Sequence, residues 1–393
     1  MNTSRKINND LFYIGVSDRR LELFENLFPI PRGVSYNSYL LLDDKTVLFD
    51  TVDSAVGHRY FNNIAACLNG RTLDYLVINH MEPDHAAVIE DVVMRYPDVK
   101  IVSNAKTFPM IKQFFDFDFN EKIVAEGDIL DTGHHKLTFV MAPMVHWPEA
   151  MVTFDTTDGI LFSADAFGTF GAIDGNIFRD EVDFNANWED DARRYYTNIV
   201  GKYGAQVQAV LKKAAGLDIQ MVCPLHGPIW RSDISWLIGK YDLWSRWEPE
   251  CDDIFIAYAS MYGNTETAVN VVSAKLAEQG RRVRVMNICN TDKSYAIAEM
   301  FRAKNIILAA PTYNGGIYPT MEALVLDMKA LLLQNRNVAI IENGTWAPVA
   351  GRQIKSILDT MKGISVTGTL TIKSALKDSQ NEAVEGFVHG FIS

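Results

Sequence analysis

Four cysteines in 393 residues, Cys67, Cys223, Cys251 and Cys289, stand far apart and form no Cys-x-x-Cys pair. That excludes a disulfide framework and a thiolate metal cluster, so any metal must take nitrogen and oxygen ligands. Basic residues are also in short supply: 37 Lys and Arg against 49 Asp and Glu leave a net charge of −12. The chain lacks the positive surface that a nucleic-acid backbone or an anionic membrane requires. No apolar run approaches the roughly 18 residues of a transmembrane helix, and Met1 to Asp10 has no signal-peptide core. A cytoplasmic location is expected. What remains is globular material, 48% hydrophobic and 22% charged, which argues against disorder and suffices for two to three domains.

The sharpest change of character falls at Trp247 to Asp253, where a proline and four acids separate an aromatic-rich stretch from an apolar one. It predicts two domains, 1–250 and 251–393. In the first, strands are expected at 36–42 and 46–50 around Asp43-Asp44-Lys45, then at 75–79, 100–103, 137–141, 151–154, 160–163 and 219–223. With helices between some of them, this reads as layered α/β with mixed sheets. In the second, strands at 254–259, 283–287, 305–309, 337–341 and 365–370 alternate with helices. A doubly wound parallel sheet is the default for that rhythm.

Asn79-His80-Met81-Glu82-Pro83-Asp84-His85 sets two imidazoles and two carboxylates within six positions after a strand. Residues two apart in extended chain face the same way, so His80 and Glu82 converge, while a turn at Pro83 re-aims Asp84 and His85. His146, Asp165 and His226 each follow a predicted strand's carboxyl end in the same manner. Acids gathered so closely without a cation would repel one another, so the set predicts two adjacent metal positions. Zinc, manganese and iron all accept such ligands, and the carboxylates tilt the choice toward a redox pair of irons. His58, His134, His135 and His389 have no acidic cluster of this kind in sequence and read as surface or core residues.

The second half carries three polar loops after strands. Ser260-Met261-Tyr262-Gly263-Asn264-Thr265 opens a helix with hydroxyls, a glycine and free N–H groups, which suits a phosphate. Pro311-Thr312-Tyr313-Asn314-Gly315-Gly316 and Asn343-Gly344-Thr345-Trp346-Ala347 offer edge hydrogen bonds and, in Tyr313 and Trp346, stacking faces. A P-loop lysine and a Gly-x-Gly-x-x-Gly run are both missing, which disfavours nucleoside triphosphates, FAD and NAD.

His-x-Glu-x-Asp-His with His146, Asp165 and His226 resembles the metallo-β-lactamase fold, an αβ/βα sandwich, except that hydrolytic members usually carry His where Glu82 stands. The three later loops resemble the FMN site of flavodoxin. Taken together, nearly the whole chain resembles the flavodiiron proteins, or A-type flavoproteins. The resemblance implies that His80, Glu82 and His146 hold one iron, that Asp84, His85 and His226 hold the other, and that Asp165 bridges them. It further implies FMN, and reduction of dioxygen to water, of nitric oxide to nitrous oxide, or of both. A head-to-tail homodimer, or a tetramer built from it, would bring each flavin to the partner's irons, with Trp147 near the partner's flavin. The electrons are expected from a separate donor, foremost a rubredoxin, since no rubredoxin-type cysteine pairs occur here.

Tyr195 or Tyr196 is expected to hydrogen-bond the bound oxidant. The resemblance breaks at one place: where many members carry Phe-His-Gly, this chain reads Leu23-Phe24-Glu25-Asn26-Leu27. Two rival functions remain at this level, a zinc hydrolase carrying a flavodoxin-like domain and a non-catalytic electron shuttle.

Overall fold

The computed structural model describes residues 2–392. They form two compact units, 2–196 with Ala205–Asp242, and Thr197–Gly204 with 243–392. The division thus falls at Asp242 and Leu243, before the proline-containing segment that marks 250 and 251 in the sequence. Trp244 and Trp247 explain the offset: the Trp244 indole donates to Glu250 (2.7 Å), and the carbonyl of Trp247 accepts from the buried Arg336 (2.7 Å), so both belong to the second unit.

The first unit begins with β1 (Arg5–Lys6) and β2 (Leu11–Tyr13), followed by two small ribbons, β3 (Val16–Asp18) with β6 (Val34–Tyr36) and β4 (Leu23–Phe24) with β5 (Phe28–Pro29). β7 (Tyr39–Leu42), β8 (Thr46–Phe49), β9 (Tyr75–Val77), β10 (Lys100–Ser103) and β11 (Asn120–Ile123) complete a seven-stranded sheet in the order β1-β2-β7-β8-β9-β10-β11. Its last four strands are parallel. β12 (Ile129–Asp131), β13 (Lys136–Met141), β14 (Met151–Asp155), β15 (Ile160–Phe162) and β16 (Met221–Cys223) form the second sheet, antiparallel except for β15 and β16. Phe49 of β8 and Phe162 of β15 stack with centroids 3.7 Å apart, joining the two sheets through a dry core.

The single strand expected at 36–42 is two strands in the structure. Tyr36 ends β6 and Tyr39 begins β7, because the buried Asn37 amide donates to the carbonyls of Pro224 (2.9 Å) and Gly227 (2.8 Å) and holds the chain in a jog there.

The second unit is the expected parallel sheet. β17 (Cys251–Tyr258), β18 (Val283–Asn287), β19 (Ala303–Tyr313), β21 (Arg336–Asn343) and β22 (Ile364–Ile372) lie in the order β18-β17-β19-β21-β22, with β20 (Gly316–Ile317) a short antiparallel arm on β19. This 2-1-3-4-5 order of main strands is the one for which flavodoxin is the reference, with the switch point between β17 and β19. Ile256, Ile307, Ala339 and Ile341 are fully buried against Val269, Val272 and Leu276 of the helix Asn264–Glu278. Each isoleucine, valine or leucine among them contributes about 1.5–3 kcal/mol on burial, and together they hold the three polar loops at the sheet's carboxyl edge. Among the described residues no helix is long and apolar enough to cross a membrane, and all four cysteines are free thiols.

Candidate metal centre and flavin site

Loops at the carboxyl ends of β9, β13, β15 and β16 bring all seven candidate metal ligands together. One donor atom each from His80, Glu82, His146 and Asp165 lies within 4.8 Å of the others, and the same holds for Asp84, His85 and His226. His80 Nε2 is 3.3 Å from both Glu82 Oε2 and Asp165 Oδ2, and His146 Nε2 is 3.0 and 3.1 Å from the same two oxygens. Across the cluster, His85 Nε2 is 3.3 Å from Asp84 Oδ2 and 3.2 Å from Asp165 Oδ1, and His226 Nε2 is 3.2 Å from Asp84 Oδ2. Asp165 therefore turns one oxygen to each group. Ligands bonded at about 2.1 Å to one tetrahedral or octahedral ion sit roughly 3.0–3.4 Å apart, which is the spacing found here.

The polar atoms also call for cations. Both carboxylate oxygens of Asp84 and Oδ1 of Asp165 are buried without a hydrogen-bond partner. The Nε2 atoms of His85 and His226 approach to 3.0 Å, although His226 donates its Nδ1–H to the Ser35 carbonyl at 2.7 Å and so aims a lone pair inward. Burial favours neutral forms throughout, yet opposite charges across the cluster outweigh it. They raise His80 and His85, bring His146 to about 9, and hold Glu82 and Asp165 below the ordinary carboxylate range. A metal pair would replace those protons.

Local sequence explains the placement. Glu82 stands just before a single helical turn, Pro83–Ala86, whose first residue is the proline, and this re-aims Asp84 and His85. Asp50, at φ 52°, accepts the Asn79 N–H (2.7 Å), the Asn79 amide (2.8 Å) and the His80 N–H (3.2 Å). Ala164 (φ 51°) and Phe167 (φ 70°) bracket Asp165 in left-handed conformations that cost side-chain-bearing residues strain.

In the second unit, a cavity of about 460 Å³ is lined by residues of all three predicted flavin loops. Ser260, Met261, Tyr262, Asn264 and Thr265 form one side, Pro311 to Gly315 a second, and Asn343 to Ala347 a third. Gly263 (φ 86°) precedes the helix Asn264–Glu278 and donates its N–H to the Ser260 hydroxyl at 3.1 Å. Gly316, in β20, pairs with Tyr313 of β19 and does not line the cavity. Tyr262 and Trp346 are 90% and 91% exposed, so neither serves as a packing plug.

With this geometry in hand, the comparisons with known proteins are decisive. Residues 34–227 match the ODP family beta lactamase model and residues 256–387 match the flavodoxin model. Anaerobic nitric oxide reductase flavorubredoxins from Klebsiella pneumoniae and Aeromonas hydrophila are each 32% identical to this chain, over 87% and 92% of it and 72% and 74% of their own lengths. The structure of rubredoxin oxygen:oxidoreductase from Desulfovibrio gigas superposes with a TM-score of 0.93 at 27% identity, covering 99% of this chain and 97% of that one. The chain belongs to the flavodiiron protein family. Its two units are the β-lactamase-like and flavodoxin-like halves of that family.

Several residues of this flavodiiron chain escaped the sequence reading. Glu149 backs His80, its Oε1 3.0 Å from Nδ1, and Ser35 does the same for His226. Ser374 lines the flavin cavity, exchanging hydrogen bonds with Asn343 (2.8 and 3.0 Å). Glu25 lies on the exposed turn between β4 and β5, close enough to feel the Glu82 charge. The residue is exposed, but local desolvation of its carboxyl and the Glu82 charge push that carboxyl up to about 8. A carboxyl thus stands over the cluster from the segment where the family's histidine is missing.

Of the two tyrosines, Tyr195 is buried beside His226 (centroids 5.4 Å) with its hydroxyl unpartnered, and feels Asp165, Asp84 and Glu82. Tyr196 packs on Tyr241 instead (4.9 Å). Trp147 sits in the first unit edge-on to His80 (5.4 Å). His135, read from sequence as lacking acidic company, is buried with Nδ1 2.7 Å from Asp155.

Proposed function

We propose that this chain reduces dioxygen to water, nitric oxide to nitrous oxide, or both, at a non-haem di-iron centre supplied with electrons by FMN. The divided carboxylate of Asp165 carries the reading, because it faces two donor groups at once. His80, Glu82 and His146 would hold one iron, and Asp84, His85 and His226 the other. Ser260 to Thr265 would take the flavin phosphate, while Pro311 to Gly315 and Asn343 to Ala347 would take its ring. An iron pair held in the first unit would supply Lewis-acid and one-electron redox chemistry, and a flavin in the second unit would supply two-electron storage.

The chain's own residues do the rest. Glu149 and the Ser35 carbonyl fix the tautomers of His80 and His226, so that each Nε2 lone pair faces inward. Phe24 and Phe170, in edge contact with one another at 5.5 Å, wall the His226 side against water. The Tyr195 hydroxyl, with no protein partner, donates to bound oxidant.

The working unit is a cytoplasmic head-to-tail homodimer in which Trp147 faces the partner's flavin, and a rubredoxin is the electron donor. That the relatives include a nitric oxide reductase flavorubredoxin and a rubredoxin oxygen:oxidoreductase supports both substrates and that donor. Glu82 supports reduction over zinc hydrolysis, since a carboxylate replaces the imidazole of hydrolytic sites. The test is rapid mixing of the anaerobically reduced protein with dioxygen and, separately, nitric oxide. Fast flavin reoxidation by at least one gas is expected. Sluggish reoxidation by both, with zinc bound and ester or thioester hydrolysis, would overturn the assignment.

A further inference from the structure

A third group of metal-type donors lies outside the centre described above. His135, in the turn just before β13, is 1% exposed, and one donor atom each from His135, Asp155 and Asp158 lies within 4.8 Å of the others. Its Nδ1 is 2.7 Å from Asp155 Oδ2, while its Nε2 has no hydrogen-bond partner and faces Asp10 Oδ2 at 3.5 Å. Asp10 and Asp158 are solvent-accessible, so an ion can enter from that side. Among the described residues, no lysine or arginine pairs with Asp10, Asp155 or Asp158. The nearby Lys45 and Lys136 are engaged by Asp74 and Asp131.

The arrangement repeats that of His80. There a buried carboxylate, Glu149, takes Nδ1 and leaves Nε2 to face acidic oxygens. Here Asp155 takes Nδ1 in the same way, and a carboxylate behind an imidazole is the recurrent means of fixing a metal-binding tautomer. One imidazole with two or three carboxylates suits zinc or another divalent first-row ion.

We propose that His135, Asp155 and Asp158, with Asp10 Oδ2 3.5 Å from His135 Nε2, form a second, independent site for a divalent transition-metal ion. Such an ion ties together three turns: the one before β2 through Asp10, the β12–β13 turn through His135, and the β14–β15 turn through Asp158. Asp158 already accepts from Asn8 at 2.8 Å, and Asp43 accepts the His135 N–H at 2.8 Å, so the turns are pre-positioned for it. The site is a cross-link in the first unit and takes no part in the reductase chemistry.

The experiment adds zinc chloride to the iron- and flavin-loaded protein near neutral pH, removes free ion by desalting, and counts zinc and iron per chain. About one zinc beyond the iron is expected in the wild type. Asp158→Asn, a surface change that leaves the fold intact, and His135→Gln both lose it with iron and flavin content unchanged. Asp155→Asn weakens zinc binding about 10–100-fold. Nitrogen NMR of the imidazole provides a second reading: in zinc-treated protein, His135 Nε2 loses its proton. Zinc that merely displaces iron, uptake equal in wild type and Asp158→Asn, or a His135 ring still protonated at both nitrogens would overturn the site and leave an ion pair between His135, Asp155 and Asp10.

Discussion

His80 Nδ1 lies 3.0 Å from Glu149 Oε1, on the face of the imidazole turned away from the metal cluster. The same Glu149 oxygen accepts the Met81 N–H at 2.9 Å, so one buried acid fixes both the ring and the backbone of the His80 segment. Glu149→Gln keeps the shape and removes the charge. The expected result is a loss of iron affinity of about 10–100-fold, read as iron retained after dialysis against a graded chelator, with FMN content unchanged. Equal iron retention in both proteins would show that Glu149 serves the backbone alone.

The two tyrosines should behave differently. A hydrogen bond to a charged group is worth about 1.5–3 kcal/mol, so Tyr195→Phe should lower turnover by about 10- to 100-fold. Its stability should rise slightly, because a buried hydroxyl without a partner is removed. Tyr196→Phe, altering a ring that packs on Tyr241, should leave turnover within twofold or so. Steady-state gas consumption and thermal melts of the two variants, at equal iron loading, check both statements.

That difference also shows where sequence reading reaches its limit. Neighbouring residues on a helix point about 100° apart, so only one of Tyr195 and Tyr196 could face the cluster, and nothing local says which. The ligands themselves were legible because His80, Glu82, Asp84 and His85 are packed into one segment and the other three recur after strands. The five-strand alternation gave the second unit's sheet, and its loops could be placed from their glycines and hydroxyls. Glu149 and Ser35 carry no such signature. They reach their histidines across 69 and 191 residues, and each looks like an ordinary polar residue until the fold is closed. His135 was missed for the same reason, since Asp155 reaches it only through the pairing of β13 with β14 and Asp10 only from the turn before β2.

Glu25 gives a pH-dependent prediction for the metal-free protein. Local desolvation of its carboxyl and the Glu82 charge raise it from 4.5 to about 8, although the residue is otherwise exposed. A folded pKa above the unfolded value means that the fold favours the protonated acid, so this contribution is complete below 4.5 and is lost as pH rises through about 8. Metal-free wild type should therefore lose more stability across that window than Glu25→Gln, and its infrared spectrum should show a protonated carboxyl that the variant lacks. Adding ferrous iron should move the titration downward, because bound cations favour carboxylates. An infrared band that persists in Glu25→Gln would assign the proton to another acid.

Trp346 separates binding from folding in the second unit. It is 91% exposed on the rim of the cavity formed by the three flavin loops, so its ring contributes little packing while the cavity is empty. Exposed substitutions of this kind stay within about 0.5 kcal/mol, and Trp346→Ala should leave the melting temperature of the flavin-free protein unchanged. A ring stacked on the isoalloxazine adds about 0.5–1.5 kcal/mol beyond the area it covers, and with that area the loss should weaken FMN binding by about tenfold or more. Quenching of FMN fluorescence on titration into the flavin-free protein measures this directly. The flavin-free melt then separates two causes of weak binding: an unchanged melting temperature assigns the loss to a missing stacking face, and a lowered one assigns it to a disturbed loop.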